Sequence, residues 1–191
     1  SFLRLWPDVA VITAADADHL DIYGTAEAVV EAFEEFASQI KSGGCLILKQ
    51  GVSLKFDTAQ RSLYRYSCDE GGDFYAENIR LIDGGRYRYD IVLPDGRIED
   101  CELGILGKVH IENSIAAVAM LWAAAKAENR PLDITELRAA LNEFSGVKRR
   151  FEFYVNTPKQ VYMDDYAHHP RELGAAISSV RAMFPTRHLT A

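Results

Sequence analysis

The sequence predicts an α/β fold: a sheet core with helices, an antiparallel extension, and a second strand–helix series near the end. Three observations carry this. Two short apolar runs, Val9–Thr13 and Cys45–Lys49, flank a segment of helical periodicity, and that strand–helix–strand order is the mark of a parallel βαβ unit. Three strand-like runs follow between residues 74 and 105, separated by Asp83-Gly-Gly85 and Pro94-Asp-Gly96. Short turns of that chemistry join antiparallel neighbours. Finally, a helix stop at Ser145-Gly146 and the basic pair Arg149-Arg150 precede a fresh strand–turn–strand–helix pattern. The expected organisation is one domain over 1–148 and the beginning of another over 149–191.

Taken in order, Val9 to Thr13 is β-branched and apolar, as a buried strand requires. Three aspartates and His19 crowd the loop to Gly24. Thr25 is placed to cap a helix whose apolar stripe is Val29, Phe33, Phe36 and Ile40, and Ser42-Gly-Gly44 ends it. The runs 74–82, 86–93 and 98–105 are strand candidates, and Tyr87, Tyr89 and Ile91 alternate with Arg88 and Asp90 as in a strand with one solvated face; Asp73, Glu77 and Asp90 are expected to be simply solvated. An Ala-rich helix is expected from Ser114 to about Glu128. Asp133 and Glu136 have the spacing of a capping box for another, with Leu137, Leu141 and Phe144 as its buried edge. Gln160–Met163 reads as a strand. Pro170 opens a helix with an apolar face of Leu173, Ala176, Ile177, Val180 and Phe184, and residues 187–191 read as the start of a further strand.

Composition narrows the function classes. The 191 residues are 48% hydrophobic and 26% charged, enough to bury a core, and the net charge is −7. That charge disfavours broad electrostatic binding to nucleic acid or an anionic membrane, so neither is expected as a partner. Cys45, Cys68 and Cys101 have no zinc spacing and no disulfide framework, which favours a reducing compartment. No run approaches a membrane span and no signal peptide is visible, so a cytoplasmic location is expected. Both ends look cut, and the oligomeric state is open.

Chemistry-bearing residues gather in three places. Asp16, Asp18 and Asp21 around His19 suit a hard cation held by oxygen ligands, or else a solvated acidic loop. His110 and Asn113 precede the Ala-rich helix. Arg149 and Arg150 stand before the turn Asp164-Asp-Tyr-Ala-His-His-Pro-Arg-Glu172, where titratable groups meet a helix N-terminus at a strand's carboxyl end. An arginine pair can grip phosphate through forked, charge-assisted bonds or be an ordinary surface pair. The turn itself reads either as a site or as a polar helix cap. Zinc on His168 and His169 is disfavoured, because adjacent histidines often cannot both face one ion.

The order of these clusters resembles the Mur ligase family across essentially the whole chain. The carrying motifs are Asp18-His-Leu-Asp-Ile-Tyr-Gly24, Gly107-Lys-Val-His-Ile-Glu-Asn113, Phe144-Ser-Gly-Val-Lys-Arg-Arg-Phe-Glu152 and Asp164-Asp-Tyr-Ala-His-His-Pro170. The resemblance implies a central-domain sheet followed by a Rossmann-like C-terminal domain. It also implies an ATP- and Mg²⁺-dependent amide-bond ligase of peptidoglycan synthesis working through an acyl phosphate. Among family members the Asp-His loop looks most like those that join L-alanine to UDP-N-acetylmuramate. By the same likeness, His19 matches a histidine near Mg²⁺, Asn113 an adenine contact, Arg150 a phosphate contact and Asp165 a ribose contact. Tyr166 and His168 fall where the turn faces the reaction, and His110 is a further nucleotide candidate.

Departures accompany the likeness. Ala14 stands where many relatives have Asn, and Val109-His110 replaces a His-Asn pair. No Gly-x-x-x-x-Gly-Lys-Thr phosphate loop occurs in these residues, so the chain alone is expected not to turn over ATP. Two other readings stay open: a recycling ligase that attaches a tripeptide to the same sugar, and a non-catalytic nucleotide-binding module.

Overall fold

The computed structural model describes residues 2–16, 23–82 and 85–191. The chain is α/β, with the elements β1 (Val9–Ile12), α1 (Ala26–Ser38), β2 (Cys45–Lys49), β3 (Ser62–Tyr66), β4 (Tyr75–Leu81), β5 (Tyr87–Leu93), β6 (Gly96–Leu103), α2 (Val109–Ala127), α3 (Ile134–Glu143), β7 (Glu152–Asn156), β8 (Val161–Asp164) and α4 (Pro170–Met183). It divides into two compact units, 1–76 with 92–96 and 115–132, and 77–91 with 97–114 and 133–191.

In the first unit, β1 and β2 run parallel with Val9 opposite Cys45 and Ile12 opposite Leu48, as the strand–helix–strand pattern implies. The sheet gains a third parallel strand that the sequence reading passed over: β3 pairs with β2 from Cys45–Ser62 to Lys49–Tyr66. Its crossover, residues 50–61, contains no helix. The connection is still long enough for a parallel return, which needs about a dozen residues. Leu46 and Leu48 are buried with Ala10, Ile12, Ala37 and Ile40, and Phe33, Phe36 and Leu63 pack on that cluster. Thr25 caps α1 by accepting the Ala28 amide at 3.2 Å. The helix buries Val29, Ala32 and Ala37; the two phenylalanines of the expected stripe are half-buried instead, under Phe2. Tyr64, Phe74 and Trp122 form an edge-to-face trio, and the Trp122 indole donates to Asp95 at 2.8 Å.

In the second unit, β4, β5 and β6 lie side by side in sequence order. The two-residue connection Pro94-Asp95 can join only antiparallel strands. Tyr87, Tyr89 and Ile91 are buried on one face of β5, and Tyr89 shares a 2.6 Å hydrogen bond with Ser114. The polar face is not merely solvated, contrary to the expectation for the acidic residues. Asp90 accepts the Asn78 amide and the Asp100 backbone N–H, Glu77 pairs with Arg97, and Glu102 with Arg86 and Arg88. In the first unit Asp73 accepts the Arg65 N–H at 2.6 Å. Alternating charges on facing strands satisfy one another before water does.

Three further expectations are corrected. The Ala-rich helix begins at Val109, five residues earlier than expected, because His110 and Ile111 donate N–H bonds to Gly107 and Lys108 and wind the first turn. Phe144 is 47% exposed, since it is the C-cap of α3 and has left the helical stripe; only Leu137 of that edge is buried. Residues 187–191 are not a strand. Asp133 caps α3 through the Glu136 amide as expected.

Candidate functional site

The second unit gathers most of the expected site residues. The hairpin β7–β8 pairs Glu152 with Asp164 and Asn156 with Val161, with an irregularity between Phe153 and Val155. Its far end is closed by Thr157, which bonds Gln160 through both backbone and hydroxyl. The hairpin's open end therefore carries Arg149–Phe151 on one side and Asp165–His168 on the other. Three bonds hold these segments in place. The Tyr166 N–H donates to the Arg149 carbonyl at 2.8 Å, the Phe151 N–H to Asp165 Oδ2 at 3.1 Å, and the Arg149 N–H to Glu152 at 2.8 Å.

Asp165 is oriented by backbone on both oxygens, since the Ala167 N–H also donates to Oδ1 at 2.8 Å. Each carboxylate oxygen keeps acceptor capacity beyond that one bond. Arg149 and Phe151 both have left-handed backbones, at φ 59° and 51°, so the half-buried Arg150 is held between two strained residues. For non-glycine residues each such conformation costs about 1–3 kcal/mol and survives only where neighbours over-determine it.

The first turn of α2 meets this cluster through His110. Its ring lies edge-to-face against Phe151, with centroids 5.3 Å apart and planes at 82°. Burial pushes the imidazole toward its neutral form; Asp165 pulls the other way and Arg150 pushes the same way. His110 Nε2 is closed off from solvent and makes no hydrogen bond. Asn113 sits one helical turn on and is exposed.

Tyr166 and His168 form a second layer on the surface. Tyr166 is 50% exposed, with the Arg149 guanidinium 4.5 Å above its ring and the His168 ring 5.2 Å away. His168 Nδ1 lies 3.0 Å from the Tyr166 carbonyl. A carbonyl only accepts, so in that bond Nδ1–H is the donor. Glu172 closes the start of α4. Its carboxylate takes the His168 and His169 backbone N–H groups at the start of α4, and those bonds hold it below the usual range.

The expected metal residue His19 and its neighbours Asp18 and Asp21 lie outside the described residues, as does the Asp83-Gly84 turn. Among the described residues no group of three His, Cys, Asp or Glu side chains is placed to hold a metal ion. Cys45 and Cys101 are buried and Cys68 is half-buried. Sequence reasoning missed Phe151 and Gly107 as members of the site. Their signal was present, a glycine three residues before His110 and an aromatic following Arg150, but nothing in spacing alone brings them together.

The α/β frame with this cluster at its hairpin end defines a class, and comparison with known proteins gives the class its name. Residues 2–121 match the Mur ligase middle domain and residues 149–191 the Mur ligase glutamate ligase domain. The chain belongs to the Mur ligase family. It is 47% identical over its whole length to the UDP-N-acetylmuramate–L-alanine ligase of Parabacteroides distasonis, and 44% identical to that of Phocaeicola vulgatus. It spans about 40% of the length of those relatives. In fold it is similar to the apo form of L. casei FPGS and to an FPGS–AMPPCP complex, each at TM-score 0.75 and 24% identity. Each match covers 95% of this chain and 44% of the other.

Proposed function

We propose that this chain is the central and early C-terminal part of an ATP-dependent ligase that joins L-alanine to UDP-N-acetylmuramate. The carrying observation is the identity, over the whole chain, to relatives bearing that name. The cluster of His110, Arg150 and Asp165 supports it. In this reading the domain boundary falls at 148/149, and the enzyme works in the cytoplasm without nucleic acid. Among the described residues no helix is long and apolar enough to cross a membrane.

The reaction runs in two steps. A carboxylate oxygen of the muramyl substrate takes the γ-phosphoryl group and ADP leaves. The alanine amine, having given up a proton, then bonds to the acyl carbon, and phosphate departs with the carboxylate oxygen. Such chemistry is mostly positioning and charge compensation. Arg150 supplies positive charge to the phosphates. Asp165, whose oxygens are aimed by two backbone amides, accepts from ribose hydroxyls, and Asn113 offers an amide that both donates and accepts to adenine. His110 Nε2, buried and without a bond, fits a polar group of the nucleotide. His168, exposed beside Tyr166, orients phosphate or the incoming amine. Mg²⁺, assigned to the His19 loop, would neutralise phosphate charge.

The acceptor decides between this reading and its rival. The protein at the full length of its relatives, given ATP, Mg²⁺ and UDP-N-acetylmuramate, is expected to consume free L-alanine. Use of a tripeptide with no use of L-alanine would identify the recycling ligase, and no ADP formation with either would identify a non-catalytic module.

A further inference from the structure

We propose that Phe151 is a positioning residue for nucleotide binding, setting Asp165 through its backbone and His110 through its ring; this rests on the reading that those two side chains meet ATP. Phe151 is 6% exposed, yet it stands in a left-handed conformation at φ 51°. A bulky side chain adopts that backbone only under constraint. The constraint is visible on both sides. Its N–H is committed to Asp165 Oδ2 at 3.1 Å, and its ring lies against His110 and over Gly107.

Gly107 completes the contact. It has φ 101°, and a Cβ there would sit 3.4 Å from the Phe151 ring and 3.5 Å from the His110 ring. A side chain at 107 would thus be strained in its backbone while touching both rings at ordinary van der Waals distance. One residue therefore links the start of α2 to the β8–α4 turn. Its left-handed backbone and that of Arg149 flank Arg150 in the chain. The ring itself needs no contact with the nucleotide.

The test uses the protein at the full length of its relatives, with the analogue AMPPCP as binding probe and steady-state kinetics alongside. Phe151→Ala is expected to weaken AMPPCP binding and raise the KM for ATP by about tenfold or more, a loss of roughly 1.4 kcal/mol. The KM for L-alanine should stay within about twofold, since uniform binding of one substrate alone is removed. Phe151→Met, which restores volume and leaves the amide in place, should recover most of the affinity. Gly107→Ala should reproduce the nucleotide defect from the opposite side, and it carries the test if Phe151→Ala fails to fold. Unchanged AMPPCP affinity in these variants would overturn the inference, as would a fall in every kinetic parameter in step with the urea midpoint. A parent protein that binds AMPPCP but ligates nothing would refute the ligase reading while leaving the Phe151 measurement intact.

Discussion

His110 carries a pH signature because its imidazole is buried against Phe151. Its folded pKa lies below the ordinary 6.5, so the unfolded chain binds the extra proton first. The stability it contributes is complete above about 6.5 and is lost as pH falls from there through the lower folded value. Urea midpoints between pH 8 and 5 should therefore decline below about 6.5, and His110→Gln should flatten that part of the curve. At Cys101 burial pushes the thiol up to about 12. It is expected to resist alkylation at pH 8 in the native state and react only on unfolding, as mass spectrometry of the labelled protein would show. At this scale the position of Asp165, Tyr166 and His168 between β8 and α4 was legible, since a strand end followed by Pro170 predicts where they fall. What was not legible was the left-handed Arg149–Phe151 pair, because strain arises from tertiary constraint rather than from local residue preference.

Helix ends decide several features at the next scale. Asn129 stands at φ 52° just past α2, and the bonds from Asn129 N–H to Lys126 and from Arg130 N–H to Ala125 close the helix in a Schellman motif. Asn129→Gly should raise stability by about 0.5 kcal/mol, and Asn129→Ala should lower it by about 1 kcal/mol, because only glycine adopts that backbone without penalty. Chemical denaturation of the two variants reads the difference. At Gly104 a Cβ would collide with the backbone oxygens of Asn142 and Phe144. Gly104→Ala is therefore expected to cost at least about 2 kcal/mol, since backbone at the end of α3 must move. Elements with a cap, such as α1 and α3, or with an unbroken apolar run, such as β2, were readable. By contrast, β3 was missed because a helix-free crossover gives no periodic signal. The early start of α2 was missed because Val109–Asn113 makes its first turn from residues that also read as loop.

Across the whole molecule, the α/β class and the motif order were legible because several weak clusters recur in one sequence at one set of intervals. Folding then brought His110 together with Arg150, Phe151 and Asp165 in the second unit, across about 40 to 55 residues of chain. Such proximity is a product of topology, and no local pattern encodes it. The expected cation residue His19 lies outside the described residues, so the metal assignment rests on family resemblance alone. In the proposed function Arg150 and Asp165 hold ATP, and the KM for ATP of Arg150→Ala and Asp165→Asn, in the protein at the full length of its relatives, reads that hold. Each substitution is predicted to raise that KM by about tenfold or more, as expected when a charge-assisted contact is removed. Values equal to the parent's in both variants would contradict the account.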